Sequence, residues 1–267
     1  MIALTSHDDV TRLELSSRRS RLIGYSVSAY LVRGVLVDTG FPALARELER
    51  FLAERRPRGV LVTHEHEDHA GNVAVALRLG IPVGAATETV AALRTVGPIG
   101  FYRRYTWGTL RPLIPEAGAT FRDDALVLLP TPGHSPDHHV VWDAERGTVF
   151  GGDLFLGVRV RVAHAGEDPR RLVASLREIA ALRPERLFDA HRGLVRDPAP
   201  LLTAKADWLE ETIAAVDRRA AEGWSDRAIR REVLGREELA GYFSLGDYSR
   251  RNLVRAVRTT GSMPRDG

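Results

Sequence analysis

Three histidines and an aspartate within six residues follow directly on a short apolar run. The run is Val60-Leu61-Val62-Thr63 and the polar group is His64-Glu65-His66-Glu67-Asp68-His69. The apolar stretch reads as a buried strand over 59–62. If the chain stays extended just past that strand, residues two apart share a face, so His64 and His66 can grip one cation. As the chain turns into the next helix, Asp68 and His69 point elsewhere and begin a second site. A lone His-x-His is common by chance, whereas His-x-His-x-Asp-His at a strand end is far more specific.

Cysteine is absent from the 267 residues. That removes disulfide frameworks, thiolate zinc sites, iron–sulfur clusters and cysteine nucleophiles. Any metal must be held by nitrogen and oxygen, which directs attention to the nine histidines. Three further candidates stand just past expected strands. His134 lies in Thr131-Pro-Gly-His, Asp153 follows Phe150-Gly-Gly, and His191 follows Phe188-Asp-Ala. Side chains in that position converge from distant segments at one edge of a sheet. Together they make five histidines and two aspartates, enough for two borderline cations. Asp38, after the apolar Val35-Leu36-Val37, is placed to fix the tautomer of a ligand histidine. His138 and His139 read as structural, His7 as incidental, and Glu65 and Glu67 as solvent or helix-dipole residues.

The rest of the chain alternates β-branched runs with helical periodicity. Strands are expected over 27–32, 35–37, 59–62, 82–85, 119–122, 125–129, 139–142, 148–150 and 186–188. Helices are expected over 43–54, 72–79, 87–95 and 168–182, the last started by Asp168 and Pro169. Residues 97–116 break this rhythm with Gly, Pro, Arg and aromatics and read as a lid or binding loop. After Pro198 and Pro200 the pattern is helical only, with helices over 201–221, from Ser225 or Asp226, and over 249–258. The expected division is therefore a catalytic domain over 1–200 and a helical extension over 201–267. From residue 200 on, 12 basic residues stand against 11 acidic ones, too even a balance for a DNA-reading module. Packing or homodimerisation is the expected role of the extension.

These motifs, in this order, resemble the metallo-β-lactamase-fold hydrolases. The marks are Asp38 in Val-Asp-Thr-Gly, the His64–His69 group, His134 in Pro-Gly-His-Ser, Asp153 in Gly-Gly-Asp and His191 near a glycine. The resemblance covers roughly residues 10–196 and extends to the glyoxalase II-like and small β-lactamase-like branches. It implies an α/β (α+β) fold, a four-layer αβ/βα sandwich with the metals in a cleft at one edge. It also implies that His64, His66 and His134 bind a first metal, that Asp68, His69 and His191 bind a second, and that Asp153 bridges them. Where the family commonly has Gly-His-Gly, this chain has Ala190-His191-Arg192-Gly193, which places Arg192 at the cleft wall.

Two divalent ions, zinc first with manganese or iron as alternatives, carry +4 against Asp68, Asp153 and a bridging hydroxide, leaving about +1 by formal count. The expected reaction is hydrolysis of a small ester, thioester or lactone, with Asp68 orienting the nucleophile. Two alternatives stay open. Phosphodiester or RNA cleavage would use Tyr102, Arg103, Arg104, Tyr105 and Trp107 as a basic, stacking rim. A mononuclear iron persulfide dioxygenase would need open iron positions. His164 and Arg192 are the other candidate substrate contacts. The net charge of +3 makes nucleic acid a weaker expectation than a small molecule. With neither a signal-like start nor a run of about 20 apolar residues, the expected location is the cytoplasm, with no membrane partner.

Overall fold

Strands buried on both faces are apolar at successive positions, and that property fixes this architecture. The structure is a computed structural model that describes residues 1–97, 99–111 and 120–261. A first sheet contains β1 (Ile2–His7), β2 (Val10–Leu15), β3 (Val27–Val32), β4 (Val35–Val37), β5 (Gly59–Leu61) and β6 (Val83–Gly84) in that spatial order. The pairings from β1 to β4 are antiparallel, and β4, β5 and β6 run parallel. A second sheet contains β7 (Val127–Pro130), β8 (His139–Asp143), β9 (Thr148–Phe150), β10 (Arg186–Asp189) and β11 (Gly193–Arg196), ordered β11-β10-β9-β8-β7. There β9 and β10 are parallel and the other neighbours antiparallel.

Alternation along the inner strands divides their side chains between two seams. Val27 and Ala29 of β3 face outward onto helices, while Tyr30 and Val32 face the other sheet. Leu36 and Val60 pack outward; Val35, Val37 and Leu61 pack inward. In the second sheet Val141, Phe150 and Phe188 face inward, and their neighbours Val140, Val149 and Leu187 face a second set of helices. The layers are helix, sheet, sheet, helix.

Helices Ala45–Arg55 and Val73–Arg78 cover the first sheet with Leu48, Leu52, Val73 and Ala76. Helix Pro169–Ala181 covers the second with Leu172, Leu176 and Ile179. The Asp168 side chain accepts from the Arg170 and Arg171 amides and so caps its start. Helix Pro198–Ala221 begins three residues before the expected position, with Pro198 in its first turn. Its Leu202, Ala206 and Leu209 enter the same core as Val149 and Leu187. Ile213 and Val216, further along, form a separate core with Ile229, Leu253, Val254 and Val257 of the terminal helical segment.

Several expectations need correction. Strands β1 and β2 and the short return strand β11 had no counterpart in the sequence reading. The strand expected over 119–122 is reduced to one bridge, Thr120 to Gly84; Ala119 lies outside the described residues. Of the expected lid over 97–116, Pro98 and residues 112–116 also lie outside them, and the described part contains a helix, Phe101–Thr106. No helix among the described residues is long and apolar enough to cross a membrane.

Leu187 is fully buried between the second sheet and its helices. Leu187→Ala is expected to lower unfolding free energy by about 2–5 kcal/mol, read from the urea midpoint at unchanged slope.

Candidate metal centre

The sheets deliver their loops to one edge. Asp38 follows β4, His64 follows β5, His134 follows β7, Asp153 follows β9 and His191 follows β10. Hydrogen bonds lock these loops together: across the sheets the His139 amide donates to the Thr63 carbonyl at 2.9 Å, and within the second sheet the Ala190 amide donates to the Gly152 carbonyl at 3.1 Å. Gly152 has φ +49°, and a Cβ there would sit 2.8 Å from His138 Nε2 and 3.0 Å from Thr63 Oγ1. Only glycine lets the chain turn that tightly before Asp153.

Two groups of donors result. His64, His66, His134 and Asp153 each offer one atom within 4.8 Å of the others, and Asp68, His69 and His191 do the same. Asp153 reaches both groups. Its Oδ2 is 3.3 Å from His134 Nε2, while its Oδ1 is 3.3 Å from His69 Nε2 and 3.4 Å from His191 Nε2. Asp68 Oδ2 lies 3.5 Å from His191 Nε2. All seven sequence-derived candidates therefore meet in one place.

The donors fit a cation. His64 Nε2, His69 Nε2 and Asp153 Oδ1 are buried without any hydrogen-bond partner, a costly arrangement for polar atoms unless something binds them. Burial, reinforced by neighbouring histidines, holds His64 and His66 well below the usual imidazole range. Burial does the same to His134, against the pull of Asp153. Those three rings are neutral and keep a lone pair available. Burial also pushes His69 and His191 down, but the carboxylates of Asp153 and Asp68 outweigh it, so His69 is raised and His191 lies at about 9. Two carboxylates facing two imidazolium rings is the charge pattern a divalent cation replaces.

The supporting shell orients these rings. Asp38 sits at φ +63°, accepts from the Thr63 amide at 2.8 Å and its hydroxyl at 3.0 Å, and meets His69 Nδ1 at 2.9 Å. His191 Nδ1 faces the Ser26 carbonyl at 2.7 Å. His138 is buried with Nδ1 on the Thr131 hydroxyl, and its Nε2 accepts from the Asp153 amide at 3.1 Å. His139 Nδ1 faces the Asp137 carbonyl at 2.8 Å.

Other supports left little trace in the sequence. Asp189 accepts from the Leu156, His191 and Arg192 amides; its position two residues before His191, the spacing of an Asx turn, was the available signal. The buried Lys205 donates to the Leu154 and Phe155 carbonyls at 2.9 and 2.6 Å. It is the only lysine, and burial pushes it down to about 8. The partly buried Glu167 comes within 3.7 Å of His134 Nδ1, and burial pushes it up to about 7.

A cleft of about 790 Å³ opens over His66, Asp68, His134, Asp153 and His191. Tyr102, Arg103, Trp107, His164 and Arg192 line it, as do Glu238 and Tyr248 from the C-terminal helical segment. Tyr105 is not part of that wall; it stacks on Phe101 beneath Arg19. Arg104 is exposed and likewise off the cleft. Glu67 is buried, not solvated, and takes Arg103 Nε at 2.7 Å together with a second bond to Nη2. Glu65 is half-buried, its amide held by Asp137 at 2.9 Å.

Residues 22–191 match the profile of the metallo-beta-lactamase superfamily. The chain belongs to that superfamily. It is 30% identical over 207 residues to a Drosophila melanogaster protein named beta-lactamase-like protein 2 homolog, covering 71% of this chain and 68% of that one. It is 36% identical over 192 residues to a Halorhodospira halophila protein named hydroxyacylglutathione hydrolase, covering 67% of each. A metallo-beta-lactamase family protein from Thermus thermophilus superimposes with TM-score 0.66 at 19% identity, over 98% of this chain and 97% of that one; that likeness shows the fold. The chain is thus a hydrolase of the metallo-beta-lactamase fold, a fold that implies divalent metal ions.

Two outcomes follow from the shell. Asp38→Ala frees His69 and the Thr63 amide, and is expected to weaken zinc binding about 10–100-fold, measured by competition with a chromophoric chelator. Because the His191 proton must leave before its nitrogen can bind a cation, zinc affinity should rise with pH up to about 9. Proton release during zinc titration in buffers of different ionisation enthalpy checks this.

Proposed function

We propose that this chain hydrolyses a small ester, thioester or lactone with two divalent metal ions, zinc first among them. The observation that carries this reading is Asp153, whose two oxygens face separate donor groups. His64, His66 and His134 would hold one ion and Asp68, His69 and His191 the other, with Asp153 shared between them. Nitrogen and oxygen donors suit zinc, with manganese or iron as alternatives. Bound there, the ions supply Lewis acidity and a water acidic enough to attack near neutral pH.

The chain's own residues do the rest. Asp68, at the cleft floor beside His191, orients the attacking water and takes up its proton. The water oxygen bonds to the acyl carbon and the acyl–oxygen or acyl–sulfur bond breaks. The departing alcohol or thiol carries the proton away, leaving an acid. Trp107, Tyr102 and Tyr25 wall the cleft and exclude bulk water from one side of the substrate. A volume of about 790 Å³ suits a small molecule. The relative named for hydroxyacylglutathione hydrolysis supports acyl chemistry over phosphoryl chemistry. Of the specific rim that the phosphodiester alternative called for, Tyr102 and Trp107 line the cleft, but Arg103 is matched by Glu67, and Arg104 and Tyr105 lie off it. The single-iron dioxygenase alternative leaves the second donor group without a purpose.

The test is a substrate panel on zinc-loaded protein: thioesters, lactones, bis-p-nitrophenyl phosphate and single-stranded RNA. Turnover of a carbonyl substrate is expected, with His66→Ala and Asp153→Ala each lowering it at least about a hundredfold in a chain still folded by circular dichroism. Wild-type rates in either variant, or turnover of the phosphodiester or RNA alone, would contradict the reading.

A further inference from the structure

The charges around the cleft do not balance. Its lining carboxylates are already engaged: Asp68 and Asp153 face the metal-site histidines, and Glu238 pairs with Arg250. Of the lining arginines, Arg103 is taken by Glu67. Arg159, Arg161 and Arg192 also line the cleft, and among the described residues no carboxylate pairs with any of them. Arg192 makes one hydrogen bond, from Nη1 to the Leu156 carbonyl at 3.3 Å, which leaves most of its donors free.

These three guanidinium groups stand on an anchored wall. Arg159 and Arg161 belong to the alternating run Val158-Arg-Val-Arg-Val162, which places them two residues apart. The segment is tied at its start, where the Leu156 amide donates to Asp189 at 2.6 Å. It is tied at its end, where Ala163 and Ser249 exchange two backbone hydrogen bonds of 3.1 Å. Lys205 fixes the carbonyls just before it. Arg192 lies against the same stretch, 3.3 Å from where a Cβ on Gly157 would stand. The backbone carrying Arg159 and Arg161 is therefore fixed, and what binding must order is the exposed arginine side chains themselves.

We infer that Arg159, Arg161 and Arg192 select a substrate carrying a carboxylate or phosphate group away from its scissile acyl bond. The inference rests on the proposed acyl hydrolysis and names the substrate class of that site. A guanidinium forks onto either anion through paired N–H donors. A neutral ester or lactone leaves three cations without a partner, whereas an anionic one gains charge-assisted hydrogen bonds. The selection acts on binding at the cleft wall, so these are specificity residues.

The experiment compares glutarate with butyrate by calorimetric titration of the full-length, zinc-loaded protein at low salt. Each offers one carboxylate to the metals; only glutarate offers a second to the arginines. Glutarate is expected to bind at least about tenfold tighter, the ratio shrinking as salt screens the charges. The double variant Arg159→Gln/Arg161→Gln and the single variant Arg192→Gln should each reduce the ratio, and Arg159→Lys/Arg161→Lys should retain only part of it, since lysine keeps the charge but not the fork. Equal binding of the two probes, or a ratio that survives in both glutamine variants, would overturn the inference. The ratio is read without turnover, so a failed substrate panel would count against the acyl reaction and not against this anion preference.

Discussion

Asp153 faces two separate groups of nitrogen donors through one carboxylate. It stands where β9 ends, held by a hydrogen bond from its own amide to His138 and by the tight turn at Gly152. One oxygen looks toward the ring from the β7 loop, the other toward rings from the β5 and β10 loops. The neighbouring groups hold this carboxyl well below the usual range: burial alone would raise it, and His191 and His69 more than reverse that. It is therefore an anion at any working pH, placed between two sets of nitrogen donors.

That placement has an energetic consequence. Six histidines crowd one sheet edge, five of them buried. Buried polar atoms without partners each cost roughly 1–3 kcal/mol. The sandwich sustains this because its three apolar seams lock the strand ends in place, and because Asp38, Thr63, Ser26, His138 and Asp189 fix each ring or loop from behind. Cations bound there would remove that cost, which would couple metal binding to fold stability.

Local signals carried much of this into the sequence. The donor cluster was legible because each candidate lies within a few residues of an apolar run; two-face burial makes β4, β5 and β9 continuous runs, and β7, before His134, is apolar though partly exposed. What depended on distant partners was not legible. Glu67 reads as a solvated residue until Arg103, 36 positions away, is seen to cover it. Lys205 reaches carbonyls about fifty positions away and carries no local motif. Strand β1 lies at the sheet edge and is mostly exposed, so it lacks the alternation that marks a half-buried strand. Its turn at Asp8 adopts φ +52° without the glycine that would have announced it. The C-terminal segment was expected to serve packing or dimerisation; it packs, and it also brings Tyr248 and Glu238 to the cleft.

The central claim is that two ions share Asp153. Anomalous diffraction at the zinc edge from zinc-loaded crystals tests it most directly. The account predicts two anomalous peaks, one among His64, His66 and His134 and one among Asp68, His69 and His191, with an Asp153 oxygen bound to each. A single peak, or two peaks with Asp153 bound to neither or to only one, would contradict it.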